Sequence, residues 1–197
     1  MPTPSKPVDS PIYQLKVTLK GIKPPIWRQI QVPGDVTLYR LHRILQVVMG
    51  WGEEHLYQFV LRGDFGRVFY GEPDLDYDGE MKSARRVRLS TVAPQEKARL
   101  IYEYDFGDGW EHEILVQKIL PRAAEMSYPR CLAGRRACPP EDSGGIPGYA
   151  DLLETIADPN NPEHATMLDW LGGSFDPEEF DLSEVNRRLG SSSLRRH

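Results

Sequence analysis

The sequence predicts an α+β fold: a mixed or largely antiparallel sheet with one long helix in the N-terminal half and short C-terminal helices. Three observations carry this. Period-two apolar runs come in adjacent pairs, 12–19 with 26–32 and 99–104 with 110–119, as hairpins do. A single stretch of helical periodicity separates the first pair from further strand candidates. The remaining helical patterns follow the strands instead of alternating with them, which is not the order of a βαβ fold.

Taken in order, Tyr13, Leu15, Val17 and Leu19 form a clean apolar face opposite Gln14, Lys16 and Thr18, so 12–19 is a half-buried strand. Gly21 and Pro24-Pro25 break it, and 26–32 returns as its partner, with Ile26, Arg28 and Ile30 on one side and Trp27, Gln29 and Gln31 on the other. Thr37 is placed to cap a helix carrying Leu38, Leu41, Ile44, Leu45 and Val48, which Gly50 and Gly52 around Trp51 should end. Residues 57–61 and 67–70 are short strands joined through Gly63 and Gly66, 71–86 an acidic-then-basic loop, and 87–89 a short strand. Residues 121–147, rich in Pro, Gly and charge, are expected as a long structured loop, before short helices over 149–157, 162–171 and 182–189. The expected organisation is a flexible leader over 1–11, a single domain over 12–189 and a disordered tail over 190–197.

The 29 acids outnumber the 24 bases, a formal charge of −5, so no global field draws the chain to nucleic acid or anionic membrane. The arginine groups Arg85-Arg86 with Arg88, Arg135-Arg136 and Arg187-Arg188 are flanked by acids and read as solvated faces. No run approaches the roughly 18 apolar residues of a membrane span, and the Pro/Ser-rich start lacks the apolar core of a signal peptide. Two cysteines exclude a disulfide scaffold. A cytoplasmic protein is expected.

The most informative stretch is Tyr104-Asp105-Phe106-Gly107-Asp108-Gly109-Trp110-Glu111-His112. Period two puts Trp110, His112, Ile114 and Val116 on one strand face, so His112 is read first as a buried, hydrogen-bonded core histidine. The competing reading has Asp105, Asp108 and His112 converging at the hairpin tip as metal ligands or an acid/base pair, chemistry that carboxylate plus imidazole can supply. The segment Asp74–Glu80 opens like a calcium loop, but Lys82 and Arg85 stand where its later ligands belong, so tight calcium binding is not expected there. Cys131 and Cys138 are too far apart for one zinc knuckle and would need His112 or Asp142 to complete a site; as two buried thiols they would act as small hydrophobes. His55, after Glu53-Glu54, is read as a surface or capping histidine sooner than a ligand, and Trp27, Trp51, Trp110 and Trp170 as mostly core packing. Neither phosphate-loop nor dinucleotide, hydrolase-elbow or zinc-protease signatures occur.

The blocks Tyr13–Val17 with Pro25-Ile26-Trp27-Arg28, Met49-Gly50-Trp51 with His55-Leu56, and Tyr104–Asp108 with Trp110 and His112 together resemble the plasmid pRiA4b ORF-3-like family. So do Cys138-Pro139-Pro140-Glu141-Asp142, Gly144-Gly145, Gly148-Tyr149, Phe175-Asp176-Pro177 and Phe180-Asp181, which extend the resemblance over about 12–189. It implies an α+β domain with no established reaction and a link to mobile elements by naming. Ser143 and Tyr57 stand where the family often has Cys and His, which argues against a cysteine-rich metal site.

The expectation is therefore a binding or interaction module linked with mobile genetic elements, its surface formed by Trp110, Glu141, Asp142 and Tyr149 where 104–112 meets 138–149. The long connection should fold back over the hairpin, placing Glu141 or Asp142 near Asp108 or His112. The alternative is a metal-dependent hydrolase or nuclease-like enzyme using Asp105, Asp108 and His112. No motif implies a cofactor, although a divalent metal fits these side chains. Protein and nucleic acid are the partner classes left open.

Overall fold

A computed structural model describes residues 10–63, 66–73 and 81–191. Eight strands form one sheet: β1 (Ile12–Leu19), β2 (Trp27–Pro33), β3 (Tyr57–Gly63), β4 (Gly66–Gly71), β5 (Met81–Ser83), β6 (Arg99–Tyr104), β7 (Trp110–Leu120) and β8 (Arg130–Arg135). The helices are α1 (Leu38–Met49), α2 (Leu89–Val92), α3 (Gly145–Ala157), α4 (His164–Trp170) and α5 (Leu182–Leu189). The strand order is β5-β4-β3-β6-β7-β1-β2-β8, antiparallel throughout except for the parallel pair β4·β5. This is the mixed α+β architecture that the periodicities predict.

The inward residues of β1, Tyr13, Leu15, Val17 and Leu19, join Leu100, Tyr102 and Tyr104 of β6 and Trp110, Ile114 and Val116 of β7 in the main core. Helix α1 contributes Leu38, Leu41, Ile44, Leu45 and Val48. The Thr37 hydroxyl accepts from Arg40 N at 3.2 Å, and Gly50, at φ 96°, ends the helix by donating to Gln46 O. The opposite sheet face is polar, with Lys20 paired to Glu111, Arg99 to Glu113, and Gln117 bridging to Gln29 at 2.7 Å. Gln117 is the extra residue of a β-bulge, because the pairing steps from Gln14↔Lys118 to Leu15↔Val116.

Four local expectations are corrected. Residues 87–89 make a single bridge, Thr37↔Arg88, and then enter α2 instead of forming a strand. The connection 121–147 contains β8, which pairs with β2 at the sheet edge. Strand β5 arises inside the expected 71–86 loop. Helix α3 begins at Gly145, four residues early, because Pro147 falls in its first turn, where no backbone N–H is required. Residues 74–80, the candidate calcium loop, lie outside the described residues, as do 1–9 and 192–197. No helix among the described residues is long and apolar enough to cross a membrane.

Candidate functional site

The β6–β7 connection is built around Asp105. Its Oδ1 accepts from Gly107 N at 2.9 Å and Asp108 N at 3.3 Å, and its carbonyl accepts from Gly109 N. Asp105 holds φ 55°, a left-handed conformation that Asp tolerates better than most residues. Its own N–H donates to Leu56 O at 2.9 Å, which brings the chain after α1 alongside the turn. The side chain is nine-tenths buried.

The 138–149 segment closes over this turn. Gly144 N donates to Asp108 Oδ2 at 3.1 Å, and a Cβ on Gly145 would lie 2.5 Å from Asp108 O, so only glycine allows the approach. Glu141 Oε1 accepts from Gly52 N and from the Tyr104 hydroxyl, each at 2.9 Å. Burial, and after it the Glu141 carboxylate, pushes the Tyr104 phenol well above its usual range, so it remains a donor. Trp51 Nε1 donates to Pro139 O at 2.9 Å, while the indole stacks on Tyr104.

These contacts converge on His55. Its Nε2 lies 3.2 Å from Asp142 Oδ1, 3.7 Å from Asp105 Oδ2 and 3.9 Å from Glu141 Oε2. Donor atoms of His55, Asp105 and Asp142 all fall within 4.8 Å of one another, the one such His/Cys/Asp/Glu group among the described residues. Neither His55 Nε2 nor Glu141 Oε2 has a hydrogen-bond partner within the protein, although both atoms are buried. The other partnerless buried side-chain atoms among the described residues are Trp110 Nε1, His112 Nε2, Ser143 Oγ and Tyr149 OH. All belong to the hairpin or the segment over it. Buried polar atoms normally find partners, so this concentration marks the region as unusual.

The sequence-derived candidates are placed as follows. Asp105 is in the cluster, and Asp108 instead tethers the covering segment through Gly144. His112 is fully buried, with Nδ1 3.3 Å from Tyr102 O and its ring edge-on to Trp51. Burial lowers its pKa to about 4, so it is a neutral core residue near pH 7 and not part of the cluster. Glu141 and Asp142 reach the site, but Trp110 and Tyr149 do not form its surface. Trp110 shares the inward strand face of Ile114, and Tyr149 packs edge-on against Phe175 in the core. Cys131 sits against Gln29 O and Ala133 O, Cys138 against Arg28 and Met49 Sδ, and neither joins His112 in a ligand group. Burial pushes both thiols up, Cys138 to about 11, so they stay protonated. Trp170, expected in the core, is 51% exposed. It lines a cleft of about 640 Å³ with Pro140, Glu141 and Phe175, next to the cluster.

His55 is the site residue that sequence reasoning misplaced. It lies in a polar loop where no periodicity speaks, and no local pattern in the sequence points to its partners. Among the arginines expected on solvated faces, Arg85 pairs with Glu72 and Arg187 with Glu184, whereas Arg136 is buried against Glu178 and Pro24 O.

The family model described as plasmid pRiA4b ORF-3-like protein matches residues 11–184. "Uncharacterized protein y4hQ" of Sinorhizobium fredii (strain NBRC 101917 / NGR234) is 40% identical over 180 residues, covering 90% of each chain. The crystal structure of the protein of unknown function MM3350 from Methanosarcina mazei Go1 superposes with a TM-score of 0.81 at 38% identity. That match covers 89% of this chain and 98% of the other.

Proposed function

Because this chain belongs to the plasmid pRiA4b ORF-3-like family, we propose that it is a cytoplasmic binding module of a mobile-element-associated protein set, acting through the surface where the 104–112 hairpin meets the 138–149 segment. One observation carries the reading. The three segments that build the His55 cluster each present an exposed apolar side chain: Leu56 at 69%, Phe106 at 51% and Ile146 at 41%. Exposed apolar side chains on the same segments as a polar centre are the composition of a protein-docking surface, an anchor with orienting groups. The plasmid in the family's description supports the mobile-element association. The two free thiols support a reducing compartment.

A protein partner fits better than nucleic acid. The cluster carries three carboxylates, and Arg85, Arg136 and Arg187 already have acidic partners. Phosphate binding needs free cations gathered on one face. The second reading, a metal-dependent hydrolase or nuclease-like enzyme, is favoured by the closeness of His55, Asp105 and Asp142, and would use His55 in place of His112.

The test is quantitative affinity capture from the host cell with the wild-type chain and the double variant Leu56→Ser/Phe106→Ser. Both positions are exposed, so folding should change by no more than about 0.5 kcal/mol. The expected result is loss of a stoichiometric partner by the variant. Identical capture by both proteins would defeat the reading.

A further inference from the structure

We propose that His55 Nε2, Asp105 Oδ2, Asp142 Oδ1 and Glu141 Oε2 form a binding site for one first-row divalent transition-metal ion. The inference rests on the binding-surface reading, since the ion would sit at the centre of that surface. Geometry is the first support. Two ligand atoms each about 2.1 Å from a common ion lie about 3.0 Å apart at a right angle and about 3.4 Å apart at the tetrahedral angle. His55 Nε2 stands 3.2, 3.7 and 3.9 Å from the three carboxylate oxygens. The donor atoms of His55, Asp105 and Asp142 all lie within 4.8 Å of one another, with Glu141 Oε2 outside that group, so the ligands must draw in around the ion, and Asp142, with a side chain 67% exposed, has the freedom to do so.

The second support is independent of the spacing. Two of the donor atoms, Asp105 Oδ2 and Glu141 Oε2, are left over from the contacts that hold their side chains. Asp105 uses Oδ1 for Gly107 N and Asp108 N, and its Oδ2 is aimed into the cluster from a side chain nine-tenths buried. Glu141 uses Oε1 for Gly52 N and the Tyr104 hydroxyl, and its buried Oε2 has no hydrogen-bond partner. His55 Nε2 is buried and equally without a hydrogen bond, despite lying 3.2 Å from Asp142. A buried carboxylate oxygen or imidazole nitrogen without a partner is costly, and an ion coordinated by all of them removes the cost at once. The oriented oxygens resemble ligands held by an outer set of hydrogen bonds, as metal sites require.

Charge is the third. All three carboxylates share one ion-pair partner among the described residues, the imidazole of His55. Even a protonated histidine would leave the group negative, so a dication is attracted. The donor set selects among metal ions. Imidazole disfavours calcium and magnesium, and the absence of thiolate from the cluster disfavours copper(I), which leaves the Mn²⁺-to-Zn²⁺ series. Three segments far apart in the chain, at 55, 105 and 141–142, would be clamped by the ion.

The test is titration of the full chain with Co²⁺, Zn²⁺ and Mn²⁺, read by calorimetry, by the visible Co²⁺ spectrum and by melting temperature. One equivalent should bind and raise the melting temperature. His55→Ala and Asp142→Asn should each weaken binding by about tenfold or more, while Cys131→Ser should bind as the wild type does. Asp142→Asn alters an exposed group and Cys131→Ser lies off the site, so a general folding defect cannot imitate this pattern. Absence of saturable binding, or binding retained in both His55→Ala and Asp142→Asn, or lost in Cys131→Ser, would overturn the proposal. Failure here with partner capture still lost in Leu56→Ser/Phe106→Ser would remove the ion and leave the binding surface standing.

Discussion

At the scale of single residues, the two buried histidines show how burial fixes protonation. His112 has its pKa lowered to about 4 and His42 to about 3, in both cases chiefly by desolvation. His42 stacks on Tyr57 at 3.6 Å, and its Nδ1 meets the Tyr102 hydroxyl at 2.8 Å. Because the folded values lie below the unfolded value of 6.5, the unfolded chain binds more protons between about pH 6.5 and 4. Stability should therefore fall as pH drops through that window, by up to about 3 kcal/mol for His112, and be flat with respect to this group above it. Urea midpoints of the wild type and His112→Gln between pH 4.5 and 7 check this: the variant should have the shallower profile, and equal slopes would refute it. At neutral pH, His112→Ala should cost about 1–3 kcal/mol through the space it leaves beside Trp51 and Tyr102. Asp105 and Asp142, both at positive φ, are conformations held by their neighbours, a pattern common where a site is assembled.

Among the elements, β8 best separates pattern from packing. Only Cys131 is buried within it, so no apolar alternation announces a strand. It exists because its backbone pairs with β2 on one side and is capped on the other. Asn186 of α5 accepts from Cys131 N at 2.8 Å and donates to Cys131 O at 2.9 Å, closing part of the sheet edge with one side chain. Gly134 allows Phe180 close in, since a Cβ there would lie 2.5 Å from its ring. Asn186→Ala should remove both hydrogen bonds, destabilise the fold by about 1–2 kcal/mol and speed exchange of the Cys131 amide. Unaltered exchange at Cys131 would show that β8 does not depend on the cap. The hairpin and α1, by contrast, needed no such tertiary support to be read: Thr37 and Gly50 bracket α1 as their side-chain chemistry dictates.

For the molecule as a whole, Arg28 is the joint. From the buried face of β2 its guanidinium donates to Val48 O at the end of α1, to Trp27 O, to Arg135 O at the end of β8 and Arg136 O just beyond it, and lies 3.4 Å from Cys138 Sγ. Phe180 packs over it at 4.4 Å. Lysine has one point charge and no fork, so Arg28→Lys should leave buried carbonyls unpaired and cost about 3 kcal/mol in chemical denaturation. A loss below about 1 kcal/mol would show that the segment leading into Pro139–Asp142 is positioned by something else. Period places Arg28 on the same side of its strand as Ile26 and Ile30, but nothing local shows that carbonyls of three backbone segments meet there. The same division holds for the whole protein. Periodicity, caps and turn glycines determine α1, the two main hairpins, the inward face that carries Trp110 and His112, and the α+β class, because side-chain direction follows backbone geometry over a few residues. Folding alone decides the rest. Asp105 and Asp142 lie 50 and 87 positions after His55; the Asp105 N–H on Leu56 O and the docking of Gly144-Gly145 on Asp108 bring them to one imidazole. A histidine in a polar loop carries no local signal of its future partners, since those are chosen by contacts between distant segments whose closeness is a property of the packed sheet.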